Sequence, residues 1–131
     1  MNALSIDIKD MLIDPSSLGL AFGTNLAIGK EQSSPDNFVT IFDTPGFPPD
    51  WTLDKVNDYY HSSCQILVRD NDYELGMAFA RNIMVYLHGR VGEEWNGTLY
   101  TVIRAQGEPS LLDWDQNNRP RFIINFNCQR R

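Results

Sequence analysis

The sequence lacks several features that would mark whole classes of protein. No apolar run approaches the ~18 residues that a membrane-spanning helix needs, and the first ten residues lack the basic start of a signal peptide. The two cysteines, Cys64 and Cys128, are too few for a disulfide framework and have no C-x-x-C spacing. Both stand in apolar, strand-like runs and are predicted to be buried thiols. We therefore expect a protein that is made in soluble form in the cytoplasm and makes no membrane contact.

Positive charge and catalytic motifs are also scarce. The chain carries 11 lysines and arginines against 17 acids, a net charge of −6, whereas a nucleic-acid-binding protein would present a basic surface. The sequence contains no G-x-S-x-G, Walker A, G-x-G-x-x-G or H-E-x-x-H motif. Its two histidines, His61 and His88, have no cysteine or carboxylate at zinc-ligand spacing. We predict no catalytic residues, no metal and no cofactor.

The charge is distributed unevenly along the chain. Residues 1–60 carry three lysines against nine acids, while residues 61–131 carry eight arginines against eight acids. The first part therefore holds the whole acid excess, and the second part holds every arginine. Such a division suits two complementary patches on one molecule.

The hydrophobic pattern predicts a single α+β domain over residues 1–131, with the order α-β-β-β-α-β-β. A short N-terminal helix is expected within residues 1–16, and the main helix is expected over residues 71–88. A capping box from Asn71 to Glu74 would begin the main helix, and Gly89 would end it. The economical packing places this helix on one face of a mainly antiparallel or mixed sheet.

Two segments are predicted to be loops. Residues 43–51 contain three prolines and a glycine, which indicates a rigid loop that does not pair as a strand. Residues 107–118 separate the last two predicted strands and are too long for a tight turn, so they are expected to project.

The main helix carries more apolar surface than one sheet needs. Its first stripe runs from Tyr73 to Leu87, and a second stripe of Leu75, Phe79 and Tyr86 lies at least a third of a turn away. Either the N-terminal helix of the same chain or a neighbouring subunit would cover the second stripe. The sequence leaves both alternatives open.

Exposed aromatic residues are predicted in the loops, at Phe47, Trp51, Trp95 and Trp114. Aromatic side chains on rigid loops are favoured anchors of protein–protein contacts. Alternatively, each folds back over the core, as we expect for at least two of them.

Three segments resemble the tail terminator, or minor capsid, proteins encoded in the head–tail gene block of long-tailed bacteriophages. The first is Pro-Asp-Asn, a strand and Asp-Thr-Pro-Gly over residues 35–46. The second is the strand and helix start over residues 65–78, and the third is Asn-Arg-Pro-Arg-Phe at residues 118–122. The order of elements also resembles the lambda-type terminator fold, and the likeness covers most of residues 35–126.

The resemblance implies a structural virion protein at the head–tail junction. It implies a homo-hexameric ring that caps the tail tube, stops its polymerisation and meets the head connector, with DNA passing through without specific binding. Contacts in such a ring are heterologous, one patch against a different patch on the next subunit. The expected subunit or partner interface comprises Asp43, Phe47, Trp51, Arg69, Leu75, Phe79, Arg81, Tyr86, Arg104 and Trp114. Asp113 and Asp115 are expected in the lumen, where acids would repel DNA phosphates.

Three other functions remain compatible with the sequence. The first is a head-completion or neck protein of the same virion, with a similar small fold. The second is a small enzyme whose site is built from scattered residues, and the third is a monomeric binding module that covers the second helical stripe internally.

Overall fold

The computed structural model describes residues 1–53 and 58–131. In these residues it has two α-helices, α1 and α2, and one sheet of seven strands. The helices are α1 (Leu4–Ile13) and α2 (Tyr73–Leu87), with a 3-10 turn at Ser16–Leu18. The strands are β1 (Leu26–Ile28), β2 (Phe38–Phe47), β3 (His61–Arg69), β4 (Arg90–Trp95), β5 (Thr98–Ala105), β6 (Ser110–Trp114) and β7 (Pro120–Arg130). The α+β prediction is confirmed.

The sheet is mixed and curled, with the strand order β1-β2-β3-β7-β5-β4. Only the β1–β2 pair is parallel among the described strand pairs, and β6 continues the line of β5 along the same edge of β7. Residues far apart in sequence therefore meet on β3 and β7, which pair through seven consecutive positions, from Ser63↔Asn127 to Arg69↔Arg121.

Alternation along the central strands defines the core face. Ile66 lies opposite Ile124 and Val68 opposite Phe122, and all four are buried. Both helices pack in the same apolar cluster, α1 through Leu4, Ile8, Met11 and Leu12 and α2 through Ala80, Ile83 and Leu87. The predicted placement of the main helix on the sheet is confirmed.

The beginning of α2 differs by one residue from the expected cap. Asp72, not Asn71, is the N-cap, and its Oδ2 accepts a hydrogen bond from the Leu75 N–H at 2.9 Å. The predicted capping box is wrong, because Glu74 stands two residues after the true cap instead of three. The predicted end is confirmed, since Gly89 follows the helix with φ +85°.

The prediction that residues 43–51 form only a loop is partly wrong. β2 continues through Pro45 to Phe47, with a bulge between Thr44 and Phe47. The short strand β1 ends opposite Ile41, so beyond that residue β2 has a free edge on which a proline loses no ladder hydrogen bond.

The expected projecting loop at residues 107–118 is also wrong in part. Residues 110–114 form β6, which pairs with β7, so the segment is a loop only before and after this strand. The strand β4 was not anticipated either. It forms a hairpin with β5 through Asn96-Gly97, both at positive φ, although Asn-Gly is a strong hairpin signal.

Candidate functional site

Two of the predicted interface residues, Phe47 and Trp51, are strongly exposed. Phe47 ends β2 and is 68% exposed, and Trp51 is 90% exposed in the segment that follows. Gly46, in the bulged end of β2, has φ +67°, and a Cβ there would lie 2.3 Å from the His61 carbonyl oxygen. Only glycine therefore permits this close approach of β2 to β3. We call Phe47 and Trp51, with the neighbouring Leu53, the aromatic arm.

Asp43, predicted as an interface residue, caps α1 from the neighbouring strand. Its Oδ1 accepts a hydrogen bond from the Ser5 N–H at 2.9 Å, and its Oδ2 accepts one from Ser5 Oγ at 2.6 Å. The N-cap position of α1 is Ala3, which has no side-chain acceptor. Asp43 thus supplies from β2 the acceptor that the helix start lacks.

Arg69, also predicted at the interface, is buried and fully engaged within the chain. It is 3% exposed, and its guanidinium donates to Glu31 Oε1 at 2.8 Å and to the carbonyl oxygens of Gln32, Pro35 and Asp36 at 2.6, 2.7 and 3.1 Å. These partners belong to residues 29–37, an irregular segment that we call the strap. Arg69 fastens the strap to the sheet.

Two arginines that sequence reasoning missed complete this attachment. Arg121 donates to Glu31 Oε2 at 2.8 Å and to Asp113 at 2.8 and 2.9 Å. Arg119 is 7% exposed and pairs with Asp36 and Asp115 at 3.1 and 2.8 Å. The division of charge along the sequence was the available signal for these pairs. Some acids of the first part of the chain therefore pair with arginines of the second part inside the same molecule.

The two lumen candidates, Asp113 and Asp115, belong to the same ionic cluster. Desolvation would raise the pKa of Asp115, but hydrogen bonds from the Arg119 backbone and guanidinium and from the Asn117 N–H outweigh it and lower the pKa below its ordinary value. Asp113 is about half-exposed and paired with Arg121. Both carboxylates are thus matched by nearby guanidinium groups.

The second stripe of α2 lines an apolar groove. Leu75 and Phe79 face Leu18 and Leu20, which follow α1, and Phe38 lies at the groove floor. The groove has a volume of about 330 Å³, and Leu75 on its rim is 64% exposed. Leu18 and Leu20, which follow the N-terminal helix, thus cover part of the second stripe of α2, and Leu75 stays largely uncovered. The third member, Tyr86, lies outside this groove with the Arg90 guanidinium 4.3 Å from its ring centroid.

The remaining interface candidates lie at the surface. Arg81 pairs with Glu108 at 3.0 Å, both well exposed, and Arg104 is exposed on β5. Trp114 is half-exposed on β6, and its ring stacks on Tyr73 with centroids 6.3 Å apart. Of the four predicted loop aromatics, Trp95 packs against the core.

A buried polar cluster joins α1 to the last strand. The Tyr100 hydroxyl donates to Asp7, and Arg130 donates to that hydroxyl at 3.1 Å. Burial, followed by the hydrogen bond to Asp7, raises the pKa of Tyr100. The cluster has no opening to solvent at Asp7 or Tyr100, each 0% exposed, so its role is to hold the two ends of the chain together.

The cysteines and histidines occupy structural positions. Cys64 and Cys128 are free and buried, as predicted. Burial raises the pKa of both thiols, that of Cys128 to about 11. His61 Nε2 lies 2.8 Å from Asp50 Oδ1, and His88 Nδ1 accepts from the Ala105 N–H at 2.9 Å.

Within residues 1–53 and 58–131, no cluster of three or more potential metal ligands occurs. No helix in these ranges is long and apolar enough to cross a membrane.

Comparison with known proteins identifies relatives of the chain. The family model described as "Bacteriophage tail terminator protein" matches residues 7–131. Among solved structures, a chain from "Virion of native gene transfer agent (GTA) particle" superposes with a TM-score of 0.68 at 14% identity. The superposition covers 97% of this chain and 93% of that one, so the two share a fold. No curated protein sequence matches significantly.

Proposed function

Because the chain belongs to the bacteriophage tail terminator family, and is therefore a structural protein of the virion tail, we propose that copies of it form a ring on the tail tube. The ring is a homo-hexamer at the head–tail junction. It caps the tube, stops the addition of further tube subunits and presents its opposite face to the head connector.

The family match over residues 7–131 carries this proposal. The exposed surface supports it, because the aromatic arm and the Leu75 rim of the apolar groove both expose apolar side chains, and aromatic side chains are favoured anchors of protein–protein contacts. In a closed ring each subunit uses two different patches, and these two features are such a pair. Of the predicted charged contacts, Arg81 and Arg104 are the exposed candidates.

The net charge supports the passage of DNA through the ring. A chain of net charge −6 gives a hexamer whose total charge is strongly negative and which therefore repels phosphate overall. Asp113 and Asp115 remain our candidates for the lumen. Because both are paired with arginines, the overall acid excess contributes more to this repulsion than these two carboxylates do.

Electron microscopy of the purified protein, alone and mixed with tail tubes, tests the proposed function. We expect rings with sixfold symmetry at one end of each tube and tubes that no longer elongate when fresh tube subunits are added. Tubes that remain bare and continue to elongate would contradict the proposal. Binding to tailless, DNA-filled heads without binding to tubes would instead identify a head-completion protein.

A further inference from the structure

The aromatic arm is the most exposed apolar feature of the described residues. Phe47, Trp51 and Leu53 are 68%, 90% and 105% exposed. An aromatic side chain presents ~150–250 Å², so Phe47 and Trp51 alone leave roughly 300 Å² of aromatic surface in water. A standard protein–protein interface buries ~800 Å² on each partner, so the arm supplies more than a third of one side.

The apolar groove has the size and lining that such an arm requires. Its volume of about 330 Å³ lies within the ~300–1,000 Å³ of pockets that bind small organic groups, and one aromatic ring fills only part of it. Leu18, Leu20, Leu75 and Phe79 form its apolar walls. The lining also contains Asn25, Asn37, Arg69 and Asp70. The two charged side chains are already engaged within the chain, since Arg69 is bound to the strap and Asp70 Oδ1 accepts a hydrogen bond from the Asp72 N–H.

The arm and the groove lie at opposite ends of the same strand. Phe38, at the groove, begins β2, and Phe47, on the arm, ends it. At ~3.3 Å per residue, the nine intervening steps separate the two by roughly 25–30 Å. The arm of one chain therefore does not reach its own groove, but two copies placed head to tail bring one arm to one groove. Repetition of such a heterologous contact closes a ring when the rotation between copies permits it.

We propose that the aromatic arm of each copy docks in the apolar groove of the neighbouring copy, with Trp51 or Phe47 against Leu75 and Phe79. The proposal rests on the ring of the proposed function and specifies the contact that builds it. The occupant is a second copy of this chain, because this chain itself exposes aromatic side chains, Phe47 and Trp51, at the end of β2 opposite the groove.

Disulfide trapping between two differently marked copies tests the contact. One variant carries Trp51→Cys and the other carries Leu75→Cys; the native cysteines are buried and do not compete. After the two variants are mixed, assembled with tail tubes and mildly oxidised, we expect a disulfide-linked dimer of one copy of each variant. Neither variant alone is expected to give this product, because a head-to-tail contact does not bring identical residues together.

A matched control lies on the same helix. Val85 is 67% exposed on α2, against 64% for Leu75, and it lies ~15 Å further along the helix axis. Val85→Cys mixed with Trp51→Cys is expected to give no linked dimer. Correspondingly, Leu75→Glu is expected to weaken ring assembly at least about tenfold, or ~1.4 kcal/mol, while Val85→Glu assembles as the unchanged protein does. Circular dichroism and urea unfolding establish that the variants are folded.

The outcomes separate this inference from the proposed function. Rings that form on tubes without the Trp51–Leu75 link overturn the arm-and-groove contact and leave the terminator function intact. A Leu75→Glu protein that still forms rings but no longer caps tubes assigns the groove to the tube protein and also overturns the inference. If neither rings nor capped tubes form with the unchanged protein, both proposals fail.

Discussion

Arg69 and Arg121 face each other on β3 and β7, and the carboxylate of Glu31 bridges them. Like charges directly opposite each other across two strands are unfavourable, but Glu31 lies between them and gives one oxygen to each, both at 2.8 Å. The strap is therefore bound to the sheet by charge-assisted hydrogen bonds and not by apolar packing alone.

Replacement of Arg69 by methionine tests this role. Arg69→Met keeps much of the apolar stem but leaves Glu31 Oε1 and three strap carbonyl oxygens without their donor, while Glu31 Oε2 keeps its hydrogen bond from Arg121. We expect the free energy of unfolding in urea to fall by about 2–4 kcal/mol. Arg81→Met is the control, because exposed ion pairs contribute only ~0–1 kcal/mol. Equal losses in the two variants would show that burial of Arg69 does not matter.

The pH dependence of stability tests the hydrogen bonds to Asp115. Its folded-state pKa lies below the ordinary value of 3.8, so the ionised carboxylate stabilises the fold above about pH 4, and this contribution is lost as the pH falls through the folded-state pKa. Unfolding in urea should show Asp115→Asn less stable than the unchanged protein at pH 6, with the difference shrinking between about pH 4 and pH 2. A difference that stays constant across this range would contradict the assignment.

At the scale of elements, Gly76 allows α2 to lie close to β7, although glycine is unfavourable in helices. A Cβ on Gly76 would lie 2.6 Å from the Phe122 ring and 2.9 Å from the Asp70 Cβ. Glycine costs a helix interior ~0.5–1 kcal/mol relative to alanine. The helix accepts this cost in propensity because only a residue without a Cβ lets it lie so close to Phe122.

Gly76→Ala therefore places two opposing effects in competition. The gain in helix propensity is ~1 kcal/mol at most, whereas overpacking a filled core costs ~1–3 kcal/mol. We expect a net loss of unfolding free energy, measured by thermal and urea denaturation. Gly107→Ala, where a Cβ would meet nothing within 4 Å, is expected to change stability little. A stabilised Gly76→Ala protein would mean that the helix shifts away from Phe122 without cost.

At the scale of the whole molecule, part of the uneven distribution of charge is used inside one chain. Glu31 and Asp36 from the acidic part pair with Arg69, Arg119 and Arg121 from the arginine-bearing part inside one chain. These pairs hold the subunit together. Only the exposed arginines remain available for contacts between subunits, and Arg81 and Arg104 are the candidates among those predicted.

Reversal of one exposed charge tests this division of roles. Arg104→Glu is expected to leave the free energy of unfolding within ~0.5 kcal/mol of the unchanged value and to weaken ring assembly on tail tubes, more strongly at low salt. Lys30→Glu, at another exposed position, changes the net charge by the same amount and is expected to assemble normally. Equal effects of the two variants on assembly would show that net charge, and not a contact at Arg104, is responsible.

The sequence alone determined the features that depend on local periodicity. The two helices, the alternation along β3 and β7 and the burial of Cys64 and Cys128 follow from the spacing of apolar residues and from glycine and proline. The sequence did not decide which of the four loop aromatics stay exposed. The likeness to tail terminators was also carried by short contiguous segments, and the family match confirms it.

Only the tertiary structure decided which distant residues meet. Asp43 caps a helix that begins 39 positions earlier in the chain, at Leu4, and Arg69 is an internal fastening instead of a surface charge. Residues 110–114 pair as β6 because β7 offers them an open edge. Each of these outcomes depends on strand register and on the fold of the strap. Register brings together residues that are far apart in sequence, so no local pattern specifies these contacts.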